Sequence, residues 1–308
     1  MVFALLGSAA QAQDDESLPA EIKPLAARSL LLDVHRTTEG RLIAVGERGH
    51  VVSSSDGDEW TQAENVPTRS TLTAISGSGN DLWAAGHDTV ILHSDDGGMN
   101  WTLQYQDVVR AQPIMDLHFV DASTGYAIGA YGLLMKTNDG GESWDEFPVS
   151  PDEWHLNGIV DLGGGALVIA GEAGFSYVSE DAGENWLPIE MPYPGSMFGA
   201  VLAGDCIVAY GLRGNVQRSC DGGNGWEEVS TPTESSLAGG AYRDGETLLV
   251  GNSGQLVMID ANGQVNAQQH PSGVDFSAVV PLEGGQWLLV GEGGRYHYPS
   301  RYPDRGEG

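Results

Sequence analysis

The sequence predicts an all-β fold, a seven-bladed β-propeller, from three observations. A glycine that closes a short apolar run and opens a tight turn of the Gly-x-x-Gly kind recurs at Gly46, Gly86, Gly129, Gly171, Gly211, Gly251 and Gly291, at spacings of 40, 43, 42, 40, 40 and 40 residues. Each unit holds two or more alternating strand-like runs with turn residues between them, which is the pattern of propeller blades. Five units then carry an Asp- and Gly-rich segment that ends in tryptophan, at Trp60, Trp101, Trp144, Trp186 and Trp226.

Taken in chain order, residues 1–12 read as a partial signal peptide. Val2 to Leu6 form a short apolar stretch, and Ala10, Gln11 and Ala12 give a small-x-small cleavage site. Residues 13–298 are expected to form one propeller, and 299–308 a C-terminal tail. The repeat runs from about residue 30 to residue 298 without a break, so one domain accounts for the length. The first inner strand is expected at Leu30 to His35. Blade three is the cleanest copy, with strands at Ile114 to Phe119, Gly125 to Ala130 and Leu133 to Thr137, and a fourth beginning at Trp144. Asn138, Asp139, Gly140 and Gly141 link its last two strands. The aspartate there can accept hydrogen bonds from amides of its own turn, the glycines allow left-handed backbone, and the tryptophan packs back on the neighbouring sheet.

In blade five the turn from Gly211 to Gly214 folds its flanks into a hairpin and sets Cys206 opposite Ser219 or Cys220. The pair is expected to form a disulfide in an oxidising compartment. Unit six has Ile259, Asp260, Ala261, Asn262 and Gly263 in place of the Trp-ending segment, and unit seven ends after Tyr298, short of an outer strand. The segment Glu21 to Ala27 is the natural candidate to supply that strand and close the ring from the opposite terminus.

Fourteen basic residues against 43 acidic ones give a net charge of −29. Nucleic acid is thereby excluded as a partner, because phosphate binding needs clustered Lys and Arg. No segment approaches the ~20 apolar residues of a membrane-spanning helix, so direct membrane insertion is not expected. The eight histidines are scattered without metal-ligand spacing, and no metal or cofactor is expected.

The Trp-ending segments resemble the Asp-box, or BNR repeat, of sialidases and related propellers. Five-fold recurrence makes Asp56, Asp96, Asp139, Asp181 and Asp221 scaffold elements rather than catalytic acids. Together with the signal-like N-terminus, the seven units and the Gly-x-x-Gly turns, the whole chain from about Leu30 to Tyr298 looks like the photosystem II stability/assembly factor family. That resemblance implies a chaperone-like, non-catalytic protein that binds a membrane-protein precursor; photosynthetic members use a basic patch for it. For non-photosynthetic relatives it implies an envelope accessory role, in some cases beside transporters of the resistance-nodulation-division class.

The expected function is therefore an envelope scaffold or assembly factor for a protein partner, periplasmic or otherwise exported, with no catalytic residues. The alternative is a carbohydrate-active or carbohydrate-binding propeller, a sialidase-like glycoside hydrolase. Arg48, Arg213 and Arg295 fall at the Gly-x-x-Gly turns of blades one, five and seven, yet the Phe/Tyr-Arg-Ile-Pro opening of sialidases is absent. Propellers gather the second-to-third-strand turns and the connections between blades on one face. The residues expected to bind a partner there are Arg48, Arg69, Arg110, Trp154, Tyr193, Arg213 and Arg295, of types that interfaces favour.

Overall fold

The structure, a computed structural model, describes residues 18–299. Seven antiparallel sheets follow one another in sequence, six of four strands and one of three. Blade one comprises Leu31–Arg36, Leu42–Gly46, Val51–Ser54 and Thr61–Gln62, and the next five blades repeat that order. The second strand of every blade is the most apolar because both of its faces are covered, one by each neighbouring sheet. In blade one the whole of Leu42–Gly46 is buried. Gly46 has extended backbone, and its glycine is required by proximity: a Cβ there would lie 2.1 Å from the Leu30 carbonyl oxygen.

The Asp-box turns are built from two side chains, of which the aspartate is only one. In blade three the Thr137 hydroxyl donates to Asp139 Oδ1 at 2.8 Å and accepts the Gly141 amide at 2.9 Å. Asp139 then accepts the Ser143 amide at 2.9 Å and the Ser143 hydroxyl at 2.6 Å. These bonds, the Ser143 hydroxyl first, hold the Asp139 carboxyl down at about 2. Ser54, Ser94, Ser179 and Ser219 play the threonine's part in the other boxes.

Each box leans on the blade before it. Gly98 of blade two abuts Ile43 of blade one, Gly183 of blade four abuts Tyr126 of blade three, and Gly223 of blade five abuts Val168 and Val178 of blade four. The core is accordingly a series of interblade clusters, such as the one joining Ile43, Val45 and Val51 to Leu72, Leu82 and Trp101.

The segment Glu21 to Ala27 does not supply a fourth strand to blade seven, contrary to expectation. Blade seven keeps three strands, Phe276–Pro281, Trp287–Gly291 and Gly294–Tyr298, and the chain enters blade one through a short 3-10 turn at Ala26–Arg28. Pro24 has no amide to donate, and the polar groups of this stretch are taken by blade one instead. The Ala20 amide donates to the Val66 carbonyl at 2.9 Å, the Lys23 amide to Gln62 Oε1 at 2.9 Å, and Gln62 Nε2 to the Glu21 carbonyl at 3.0 Å. The ring closes through packing: Leu31, Leu42, Ala44 and Val52 of blade one meet Leu288 and Val290 of blade seven, with Trp60 of the first Asp-box against the same cluster.

In blade five Cys206 and Cys220 are joined in a disulfide, with 4.2 Å between their α-carbons. The expected signal peptide, residues 1–12, and all of the expected tail except Pro299 lie outside the described residues. No helix among the described residues is long and apolar enough to cross a membrane.

Candidate functional site

Six of the second-to-third-strand turns place a non-glycine residue in the left-handed region at the same position, Arg48, Asp88, Tyr131, Ala173, Arg213 and Ser253, at φ between 56° and 58°, followed by a second positive-φ residue that is glycine except at Thr89. An L residue in that conformation costs on the order of 1–2 kcal/mol. The turns hold it with paired backbone bonds, in blade one from the Gly46 amide to the His50 carbonyl and from the His50 amide to the Glu47 carbonyl, both at 3.0 Å. Arg48, Tyr131, Arg213 and Ser253 are exposed at this position, whereas Ala173 is half-buried and Asp88, also half-buried, accepts the Ser70 hydroxyl at 2.6 Å. The Arg48 side chain is 72 % exposed, with Glu47 at 4.0 Å, Tyr131 is 58 % exposed, and Arg213 is exposed with no ion pair among the described residues.

The other expected residues divide. Arg69 is held by the N-terminal segment, donating to the Pro19 carbonyl at 2.9 Å and pairing with Glu21 at 3.2 Å. Arg110 is bound by Glu146 of the next blade. In a chain with three acids for each base, a cation on a loop finds a carboxylate within reach, so neither arginine is a free rim charge. Tyr193 is half-buried against the cluster of Met191, Met197 and Ala209. Arg295 corrects the expectation outright. It stands in a strand, one residue past the turn, and reaches into the first Asp-box, donating to the Asp58 carbonyl at 2.6 Å with its guanidinium 5.9 Å over Trp60. Arg48, Arg213 and Arg295 therefore do not converge as an arginine triad would.

Trp154 is on the surface, 40 % exposed. It lies next to Tyr131 across the turn, for Gly132 approaches Glu153 and the Trp154 carbonyl, and the Tyr131 ring meets His155 edge-on at 5.1 Å. Arg110, Tyr131 and Glu153 line a shallow cavity of about 350 Å³ there, and the same connection as Arg110 exposes Val108 and, at 94 %, Val109. Sequence reasoning passed over Tyr131 and the two valines. The signal available was their position: an aromatic at the outward-facing turn residue, and adjacent apolar side chains in a connection otherwise rich in polar ones.

A second cavity, about 390 Å³, occupies the centre of the ring, with Leu32, Met115, Asn157 and Phe198 among its lining residues and two aspartates in its wall. Asp33 accepts the Val34 amide at 2.7 Å and, across to blade two, the Ile75 amide at 2.8 Å. Asp116 accepts the Leu117 amide at 2.8 Å and, across to blade four, the Ile159 amide at 2.8 Å. Burial pushes Asp33 up to about 7 and Asp116 up to about 6. Each is a strut between inner strands, its two oxygens engaged by backbone. No three His, Cys, Asp or Glu side chains among the described residues converge as a metal site would require.

A profile of the family described as Photosynthesis system II assembly factor YCF48 matches residues 12–109 and 102–275. The photosystem II assembly lipoprotein Ycf48 of Synechococcus sp. (strain CC9902) is 30 % identical over 167 residues, covering 53 % of this chain and 47 % of that protein. The photosystem II stability/assembly factor HCF136 of the Arabidopsis thaliana chloroplast is 25 % identical over 236 residues, 66 % of this chain and 58 % of its own. The chain thus spans about half the length of the curated relatives it matches. Among solved structures, YCF48 bound to a D1 peptide superposes with a TM-score of 0.71 at 19 % identity, covering 92 % of this chain and 97 % of that one. At that identity the likeness bears on the fold, which is the same seven-bladed propeller.

Proposed function

The chain belongs to the Ycf48 family of photosystem II assembly factors, and from that premise we propose that it is a scaffold that holds a segment of a protein partner against the face carrying the second-to-third-strand turns. Its relatives are named as assembly factors rather than enzymes, and one solved relative is described as bound to a peptide. The observation that carries the reading is the patch at blades three and four. Tyr131 and Trp154 are exposed beside each other, and Val108 and Val109 are exposed on the connection whose Arg110 lines the same cavity as Tyr131. Arg213, and Arg48 beside its glutamate, add separate cationic points on the same face for carboxylates of the partner.

The proposed partner is a protein of the cell envelope, with membrane transporters in view, and the proposed location is the exported, periplasmic side, reached through residues 1–12 as the signal. Relatives named as lipoproteins and a disulfide in blade five support an oxidising, exported setting.

The test is affinity capture from envelope extracts with the wild type and with a Tyr131→Asp, Trp154→Asp variant shown to keep its melting temperature. The expected result is a protein retained by the wild type and lost by the variant. Equal retention by both would overturn the assignment of the patch.

A further inference from the structure

The junction between blades five and six lacks the tryptophan of the other box-bearing junctions, and its turn also lacks their anchoring hydroxyl, with Ile259 at the strand position of Ser219. Counting from the capping aspartate, the fifth residue is tryptophan in boxes two to five: Trp101, Trp144, Trp186 and Trp226. In blade six the cap survives, with Asp260 Oδ1 accepting the Asn262 amide at 2.8 Å and the Gln264 amide at 2.9 Å, but the fifth residue is Val265. Part of the surface against which an indole would lie is present, and Val265 packs on it without the reach of an indole. Trp226 and Gly223 of blade five pack on Val168 and Val178 of blade four. Val208 and Arg218 are the same two strand positions in blade five, paired across the second and third strands as Val168 and Val178 are.

At that place there is an open slot of about 330 Å³. Its blade-five wall includes Ala203, Val208, Arg218 and Val229, and its blade-six wall includes Tyr242 and Ile259. The lining is mixed: Ala203, Val208, Val229 and Ile259 supply apolar surface, and Arg218, Tyr242, Thr247, Asp260 and Asn262 supply polar groups. An arginine beside an indole is an arrangement this molecule uses elsewhere. Arg295 lies over Trp60 where the ring closes, and Arg243 lies 4.2 Å over Trp287 where blade six meets blade seven.

We propose that this slot is a binding site for an aromatic side chain, tryptophan above all, presented by a partner protein. The chain itself identifies the occupant, since it fills the corresponding space with its own indole at the other box-bearing junctions. The slot lies by the third-to-fourth-strand turns, on the face opposite the Tyr131 and Trp154 patch, so it would give the scaffold a second point of attachment and does not depend on the first.

The probe is fluoroindole, followed by the broadening of its fluorine resonance on titration with the protein. Two variants fill the slot by different routes, Val265→Trp from the box and Ala203→Leu from the opposite wall. Wild type is expected to broaden the probe saturably, each folded variant to bind it at least about tenfold more weakly, and Val265→Trp to raise the melting temperature by completing the junction. A Tyr131→Asp, Trp154→Asp variant should bind the probe like the wild type, which separates this site from the proposed partner face. Absence of saturable binding, or equal binding by wild type and both slot variants, overturns the proposal. So does a wild-type dimer that Val265→Trp dissociates, because the slot would then belong to a second copy of the chain.

Discussion

Replacing Trp101 by alanine tests whether the Asp-box is a structural rivet between blades. Trp101 is 4 % exposed, enclosed by Ile43, Val45 and Val51 of blade one and Leu82 and Leu92 of blade two, and its indole N–H donates to the Gly98 carbonyl at 3.1 Å. Truncating a buried tryptophan typically costs about 3–5 kcal/mol, less where the surroundings can collapse into the void. Here they are restrained. The Gly98 amide is held by the Ser94 hydroxyl at 2.9 Å and the Asn100 amide by Asp96 at 2.9 Å, so the turn keeps its shape and the cavity stays open. The upper half of that range is expected. At about 2–4 °C per kcal/mol for a domain of this size, the melting temperature should fall by about 10 °C or more.

Trp144→Ala is the internal comparison. Trp144 is partly exposed, and its indole nitrogen is buried without a hydrogen-bond partner, so its removal also relieves an unsatisfied donor and should cost clearly less. Urea unfolding followed by far-ultraviolet circular dichroism, with the melting temperature from calorimetry, measures both variants. A cost below about 1 kcal/mol for Trp101→Ala, or a larger cost for Trp144→Ala, would refute the rivet argument.

Further outcomes follow from the same structure. Because burial raises the Asp33 carboxyl to about 7, the folded state holds a proton there that the unfolded chain has released. The stability this confers is fully present below about pH 4 and is lost as pH rises through about 7; in urea titrations across that window Asp33→Ala should show a flatter decline than wild type, and an unchanged slope would contradict it. Reducing the bridge between Cys206 and Cys220, 14 residues apart, should lower stability by at most about 3 kcal/mol, read as a shift in the urea midpoint, and denatured, unreduced protein should show no titratable thiol. Arg295→Ala removes a charged hydrogen bond across the closing junction and should cost about 1.5–3 kcal/mol, with faster amide exchange confined first to blades one and seven; uniform protection loss around the ring would count against that junction as the site of closure.

The sequence by itself determined the number of blades, the strands of blade three, the Asp-box turns and the pairing of the two cysteines. These rest on local rules that repeat. A glycine is needed wherever an inner-strand carbonyl approaches the second strand, as Leu30 approaches Gly46, and an aspartate can cap only the turn it belongs to. The strands expected at Ile114 to Phe119 and Gly125 to Ala130 are found at Ile114–Phe119 and Gly125–Gly129 for that reason, and the hairpin that sets Cys206 beside Cys220 is closed by a turn inside the same blade. Function was legible only as far as family resemblance carried it.

Tertiary structure alone decided what the unrepeated residues do. Arg69, Arg110 and Arg295 looked alike along the chain, as cations at or near turns, but their partners lie 50, 36 and 237 residues away, in the N-terminal segment or a neighbouring blade. The polar groups of the N-terminal segment went to Gln62 and Arg69 of blade one, only its end at Ala27 and Arg28 lying against Gly294 of blade seven, and the outward display of Tyr131 beside Trp154 needed the connection from blade three to come back past the turn. The slot lined by Ala203, Val208 and Ile259 likewise exists only between two sheets. Periodicity in a chain reports the contacts that every blade makes within itself, whereas the contacts between blades, and the surfaces left without one, are settled when the ring closes.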